Sequence, residues 1–466
     1  MTRKIIAVII LMFVLELLII SKNSEAMPLF ARKYSADCSM CHTNVPQLNR
    51  VGYEFRLAGY RMPEDIGKDE KTFKLENFFT ARIQNRLQVK DHNDDRAEKL
   101  NASKEATQGL QLNYTHGGLE FYEATLYPLT GAWGKNFGSL VELSMSSGDI
   151  FEVENAFVRG VCGNENGWLQ AKIGVMHPWE GIGASDRPIA NTRPLFQKAP
   201  STGSIFYLWN LDESGFELGY NLAKIGTSIA ARIGNGIIYN KDVPVTQPSQ
   251  ADPRQGGHLV PESDPLTNAK DANLYAGLNS PSYQIFINQF INDESAISLY
   301  VYQGQVKMPV NITKKRVAML LQDDPTNKFA DVTSSYTRIA GYANYYVVPN
   351  KINVLAGVEY GTDSFDDSSI ASLLKIGDSL GYFGEIDYHV SDKLGFEAQY
   401  SFYDPSNQID NNSIQQILVA VNYRVNDYFQ VITDYIYKNT QSTTAGGSQG
   451  GNIVDNTLLA NFILIF

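Results

Sequence analysis

The chain has 466 residues, 43% of them hydrophobic, with 39 basic against 50 acidic side chains and a formal net charge of -11. An acidic chain without basic clusters is a poor nucleic-acid binder, so its charge points to cations or basic proteins as partners. Three cysteines are too few for a disulfide scaffold, and the slightly polar mean hydropathy leaves a membrane barrel open, because its alternating strands average to neutrality.

Residues 1–26 read as an export signal. Arg3 and Lys4 supply a positive n-region, Ile5 to Ile20 an apolar core broken by Glu16, and Ser24-Glu25-Ala26 a small-residue cleavage site. The apolar run is short for a bilayer span of ~20 residues. Cleavage after Ala26 is the expectation, with an uncleaved anchor as the alternative.

Residues 27–75 form a small helix-compatible unit around Cys38-Ser39-Met40-Cys41-His42. Two thiols three residues apart can each add to a haem vinyl group, and the adjacent imidazole can then ligate the iron. The motif makes Cys38 and Cys41 candidate thioether residues, His42 the proximal ligand, and one covalent haem c the cofactor. The rival readings are a redox C-x-x-C pair, a disulfide, or half of a zinc site. A thioredoxin-like motif belongs to a βαβ pattern, which is absent, and no second cysteine pair completes a zinc site.

Downstream, Pro46 predicts a helix start, with Leu48, Val51, Phe55 and Ala58 at roughly helical spacing up to Gly59. So small a unit buries little by itself, and haem would give Val51, Phe55 and Leu57 an apolar body to pack around. Met62, a few residues past the helix, is the candidate distal iron ligand; a Met/His pair would raise the potential. Its plainer role is packing near the haem edge. Met27, Met40, His92, His116 and His177 are the other protein candidates beside water or an open site, Met40 being sterically poor inside the motif loop.

Residues 76–466 change to a period of two. Thr80, Arg82, Gln84, Arg86 and Gln88 share one face, opposite Ala81, Ile83, Leu87 and Val89, with Asn85 out of pattern. Glu385, Asp387 and His389 alternate with Ile386, Tyr388 and Val390; Glu397, Gln399 and Ser401 alternate with Phe396, Ala398, Tyr400 and Phe402. A transmembrane barrel turns the apolar face to lipid and the polar face to the lumen.

About sixteen strands are predicted, starting near residues 78, 117, 138, 151, 168, 214, 225, 282, 296, 335, 351, 379, 393, 413, 427 and 455. Short turns at Leu222-Ala223-Lys224, Asn292-Asp293-Glu294, Pro349-Asn350, Ser391-Asp392-Lys393 and Val425-Asn426-Asp427 alternate with long loops. That is the short-periplasmic, long-extracellular asymmetry of outer-membrane barrels, with the short connection at Ser147 to Asp149 as the exception. The strand ending in Phe466 has an alternating, aromatic-terminated form like the terminal signal of bacterial outer-membrane proteins. An even strand number starts the haem unit on the periplasmic side, hanging there or folded up into the lumen.

Acidic groups at Asp91, Asp94, Asp95 and Glu98, at Asp323 and Asp324, and at Asp363, Asp366 and Asp367 read as solvated charges of extracellular loops. A negative mouth of this kind concentrates cations. Cys162 falls in a predicted turn, Gly160 to Asn164, and is read as incidental. No catalytic triad, phosphate loop or carboxylate pair supports hydrolysis.

The segment Phe30-Ala31-Arg32, Cys38 to His42, Pro46-x-Leu48-Asn49-x-x-Gly52-x-x-Phe55-Arg56-x-x-Gly59-Tyr60, followed by a long barrel, resembles the fused outer-membrane cytochrome–porins. That family includes iron-oxidising fusion proteins. The match covers about thirty residues, the rest agreeing in architecture. The resemblance implies a mainly β protein: an antiparallel transmembrane barrel of about 16 strands, its lumen plugged by a small α-helical cytochrome c segment. It implies that extracellular Fe(II) reduces the haem and that periplasmic carriers, such as soluble c-type cytochromes, take the electron. No iron-binding residue carries over. The alternatives are outward electron transfer to an external acceptor, or a diffusion porin whose cytochrome segment is a plug or sensor. Lumen-facing Arg82, Arg86, Glu385 and Asp387 suit the porin equally well.

Overall fold

The computed structural model describes residues 29–69, 77–94, 113–146, 152–176, 189–195, 213–235, 237–238, 281–311, 329–366, 377–408, 410–442 and 451–465. Among them, sixteen long strands form one closed antiparallel barrel. In chain order they are β1 (Phe79–Asp94), β2 (Asn113–Pro128), β3 (Phe137–Ser146), β4 (Glu152–Asn164), β5 (Gly167–Met176), β6 (Glu213–Leu222), β7 (Thr227–Gly234) and β8 (Ser282–Phe290). They continue as β9 (Ala296–Asn311), β10 (Phe329–Val348), β11 (Ile352–Phe365), β12 (Ser379–Ser391), β13 (Leu394–Asp404), β14 (Ile414–Arg424), β15 (Phe429–Ser442) and β16 (Gly451–Ile465). Each long strand pairs with its sequence neighbour, and β16 returns to β1, from Ile453 opposite Asp94 to Ile465 opposite Arg82. Closure pairs every strand edge, which a lipid environment requires because it offers no water to unpaired amides. Among the described residues no helix is long and apolar enough to cross a membrane.

The burial pattern is the reverse of a soluble protein's. On β12, Glu385, Asp387 and His389 are 2%, 0% and 2% exposed, while the intervening Ile386, Tyr388 and Val390 are 55%, 49% and 49% exposed. The predicted inward face of β1 follows the same rule, with Gln84, Arg86 and Gln88 buried. The β1–β2 register shifts between Gln84 and Asn85, with Tyr122 of β2 as the extra residue of a bulge, so β1 keeps its alternation and Asn85 stays on the outward face. A continuous apolar outer surface around a polar interior is the arrangement lipid selects.

All the predicted short turns lie at one end, at 223–226, 291–295, 349–351, 392–393 and 425–428. The strand ends that flank the longer connections lie at the other, and with them Ser146 and Glu152, which flank the short 147–151 connection. Four placements differ from the sequence reading. Cys162 lies within β4, paired with Leu169 and facing outward, so the turn is two residues later at 165–166. Asp363 belongs to the wall, where both its carboxylate oxygens accept from Arg338 Nη2 at 3.0 and 2.8 Å. Asp91 and Asp94 both belong to β1, where Asp91 accepts from Thr115 Oγ1 at 2.9 Å and Asp94 lies opposite Ile453. In each case the strand runs further than the apolar alternation does. Asp95, Glu98, Asp323, Asp324 and Asp367 lie outside the described residues.

Ile386→Arg places a guanidinium on the outer face and is expected to cost the barrel ~2–4 kcal/mol if the position sits near the bilayer midplane. Urea titration of the refolded protein in liposomes reads this directly. An unchanged midpoint would deny that this face meets lipid.

Candidate functional site

The C-x-x-C-H residues are held on a tight turn. Cys38–Met40 form one turn of 3-10 helix, and Cys41 N donates to Cys38 O at 3.2 Å. His42 then opens a two-stranded ribbon, His42–Asn44 against Gln47–Leu48, with Val45 and Pro46 at its tip. Pro46 therefore does not open the helix, contrary to the sequence reading. The helix α2 spans Arg50–Leu57, after α1 at Leu29–Tyr34, and Asn49 is its cap, accepting from Gly52 N through Oδ1 at 3.0 Å. The fixed φ of proline suits a turn as well as a first helical position. Asn49 has what Pro46 lacks, a side-chain acceptor for an orphan helix N–H.

Asn49 also clamps the motif. Its backbone N–H donates to Cys41 O at 3.0 Å, and Nδ2 donates to Met40 O at 3.1 Å and Ser39 O at 3.4 Å. One residue thus ties the cysteine turn to the first turn of α2. Gly52 is required by the same contact, because a Cβ there would lie 2.2 Å from Cys41 O. His42 Nδ1 lies 3.2 Å from Pro46 O. With its proton on Nδ1 the ring donates to that carbonyl and leaves Nε2 for a metal, the usual way a protein orients a ligating imidazole. Burial pushes the His42 pKa down to about 4, so the ring is neutral at physiological pH.

The thiols are equally telling. Burial raises Cys38 against the opposing pull of Arg424, and raises Cys41 to about 11. A redox C-x-x-C pair reacts through a thiolate, which these surroundings disfavour. Nor do Cys38, Cys41 and His42 converge on a common point as ligands of one small ion would; among the described residues, the set that does is Glu385, Asp387 and Glu397.

The segment carrying the motif touches inward-facing residues around the barrel. Arg50 N donates to Asp293 O at 2.8 Å, and its guanidinium reaches Ala223 O. Tyr53 Oη accepts from Asn288 Nδ2 at 2.6 Å and meets Ser228 Oγ at 3.2 Å. At the helix C-terminus, Trp168 Nε1 donates to Leu57 O at 3.2 Å and Arg159 to Arg56 O, satisfying carbonyls that the helix leaves free. Arg61 donates to Gly134 O at 3.1 Å. On the opposite wall Gln47 Nε2 donates to Asp387 Oδ2 at 2.7 Å, and Asn422 Nδ2 to Val45 O at 3.0 Å. Close approach at β3 depends on Gly138, where a Cβ would lie 2.2 Å from Gly59 O.

Two apolar clusters complete the docking. Tyr53, Leu57, Ala58 and Ile66 pack with Val161, Trp168, Ala223, Phe290 and Ala296 of the barrel. Phe55 and Tyr60 pack with Leu140, Phe157 and Met176, joined by Phe30, Tyr34, Met62 and Tyr127. Full burial of each large side chain contributes ~1.5–3 kcal/mol. Met62 therefore sits among aromatic rings, and its backbone N–H donates to Tyr34 Oη at 3.3 Å. His92 is held in the wall, Nδ1 2.6 Å from Asp455 Oδ1, with its ring stacked on Tyr114. His116 lies in β2, and Met27 and His177 lie outside the described residues.

No protein-family model and no curated protein matches the chain. Among solved structures it is similar to the outer membrane channel DcaP of Acinetobacter baumannii, at 11% identity and TM-score 0.49 over 83% of this chain and 96% of that one. It is also similar to an anion-selective porin from Comamonas acidovorans, at 11% identity and TM-score 0.47 over 83% and 99%. OprB of Pseudomonas putida gives 8% identity and TM-score 0.48 over 83% and 94%.

Asn49→Ala removes the helix cap and both amide bonds to the motif turn. It is expected to destabilise the docked segment by about 1 kcal/mol or more. Faster hydrogen exchange at Gly52 and Tyr53, with barrel amides unchanged, is the expected readout; unchanged exchange would remove Asn49 from this role.

Proposed function

We propose that the chain is an outer-membrane electron conduit: a monohaem c-type cytochrome segment that plugs the periplasmic end of a porin-like barrel, oxidises extracellular Fe(II) and delivers electrons to periplasmic carriers such as soluble c-type cytochromes. One arrangement carries the reading. The turn bearing Cys38, Cys41 and His42 is tied to the short-turn end of a lipid-facing barrel through Gln47, Val45, Arg50 and Tyr53.

The residues suit covalent haem. Cys38 and Cys41 are half-buried thiols, neither in a disulfide, on one turn. They would form the thioethers, and His42 Nε2 would supply a nitrogen ligand to the iron, its ring orientation set by Pro46 O. Asn49 and Gly52 hold that turn against α2, so the attachment points are positioned before any cofactor joins. Met62, at the edge of the aromatic cluster around Phe55 and Tyr60, would supply the second iron ligand. Haem, when bound, supplies a one-electron couple. The hydrocarbon layer is ~30 Å thick and bars direct electron passage. Residues that hold a redox centre within the barrel make it approachable from both sides, and keep ferric product outside the cell.

The same residues would serve an electron running outward to an external acceptor, since direction follows from the potentials of the partners. A diffusion porin with the segment as plug or sensor is a second reading. It is favoured by the buried polar lining, Arg86, Glu385 and Asp387 among it.

Ferrous iron mixed with the oxidised holoprotein in stopped flow is expected to reduce the haem band. A band that dithionite reduces and ferrous iron does not would overturn iron oxidation, and ion conductance in planar bilayers would then favour the porin. Met62→Ala is expected to abolish a weak sulfur-to-iron charge-transfer band and to lower the potential; an unchanged spectrum would reject Met62 as ligand.

A further inference from the structure

Three carboxylates that belong to the wall, not to the haem motif, converge inside the barrel. Oxygens of Glu385, Asp387 and Glu397 lie within 4.8 Å of one another. The ladder brings them together: Asp387 lies opposite Glu397, and Glu385 opposite Gln399, on β12 and β13. Like charges directly opposite on neighbouring strands repel unless something neutralises them. Some other buried carboxylates of the lumen have basic partners. Glu217 lies 2.8 Å from Arg232 and 3.2 Å from Lys172, and Asp363 lies 2.8 Å from Arg338. Among the described residues no lysine, arginine or histidine pairs with any of the three.

Their neighbours point to a ligand. Gln399 Nε2 donates to Glu385 Oε2 at 2.7 Å and Glu397 Oε1 at 3.2 Å, Gln47 Nε2 to Asp387 Oδ2 at 2.7 Å, and Ala190 N to Glu397 Oε2 at 2.7 Å. These donors leave a set of buried acceptors with nothing to accept from: Glu385 Oε1, Asp387 Oδ1, Gln399 Oε1, and Asn353 Oδ1 from the residue opposite Asp387 on β11. The residues bearing them are 0–3% exposed. Unsatisfied oxygens of this kind are costly in a protein interior, and a hard cation answers them together.

We propose that Glu385, Asp387 and Glu397, with the amide oxygens of Asn353 and Gln399, bind one divalent cation of hard, oxygen-preferring character inside the barrel. The all-oxygen donor set without sulfur or imidazole selects ions such as Mn(II), Mg(II) or Ca(II), and accepts Fe(II). The site lies between residues 45–47 and residues 189–195, joined by Asn422 Nδ2, which donates to Val45 O at 3.0 Å and Ile189 O at 3.1 Å. Gln47 links it to the segment bearing His42. A ferrous ion held here would stand beside the electron acceptor; that role rests on the electron-transfer reading, whereas cation binding does not.

The test is Mn(II) titration of the chelator-stripped full chain in detergent, read by loss of the free-ion electron paramagnetic resonance signal. Wild type is expected to take up one Mn(II). The triple variant Glu385→Gln, Asp387→Asn, Glu397→Gln is expected to bind about 100-fold more weakly. Mn(II) is also expected to raise the thermal unfolding midpoint of wild type and not of the variant. If the triple variant does not fold, Glu397→Gln alone is compared in the same way. No Mn(II) uptake by wild type, or equal uptake by the folded variant, overturns the site. Mn(II) uptake with no reduction of haem by ferrous iron supports the site and overturns the iron-oxidation reading instead.

Discussion

Closure of the ladder between β16 and β1 is the constraint on which the rest depends. Side chains alternate with a period of two, so a fixed register assigns each wall residue to lumen or lipid. A slip of one residue would put Asp387 in the bilayer and Ile386 in the lumen. The closed wall therefore creates a polar interior, and sixteen strands make it wider than wall side chains alone can fill. Among the described residues, two non-wall elements enter that space. One is the segment from Leu29 to Asp69, and the other is residues 189–195, where Ala190 packs with Leu418, Ala420, Ile436 and Leu459.

The wall in turn shapes the motif. An eight-residue helix is too short to persist alone in water. Here α2 is capped by Asn49 at one end and by Trp168 and Arg159 at the other, so its conformation depends on the barrel. Because Asn49 and Gly52 anchor the cysteine turn to α2, the geometry of Cys38, Cys41 and His42 is set through the helix by strands β4 and β5. Fusion of a small segment to a large barrel has a physical consequence: the barrel supplies the core that about forty residues cannot build for themselves.

Much of the wall was legible because its signal is local. Period-two alternation and turn residues are properties of neighbours in sequence, and each of the sixteen expected strands lies within a few residues of an observed one. Strand ends were less legible: β10 begins at Phe329 rather than near 335, and Asp363 and Asp91 looked like loop charges because polar residues continue into the strands. Pro46 misled because its backbone fits two settings, although Asn49 carried a capping signal. Glu385 and Asp387 were readable as lumen residues. Their meeting with Glu397 was not, because cross-strand register brings together residues that no sequence spacing marks. The C-x-x-C-H motif was plain from its residues, while its place inside the barrel depended on contacts such as Gln47 with Asp387, 340 positions apart.

The central claim is that one redox centre, held by Cys38, Cys41 and His42 within a membrane-spanning barrel, connects the two sides of the bilayer. Proteoliposomes carrying the holoprotein with its long loops outward, and a soluble c-type cytochrome trapped inside, test it most directly. Ferrous iron added outside is expected to reduce the trapped cytochrome in these vesicles, and to leave it oxidised where Cys38→Ala and Cys41→Ala remove haem attachment. Trapped cytochrome that stays oxidised beside fully loaded holoprotein, or that is reduced equally by the haem-free variant, would contradict it.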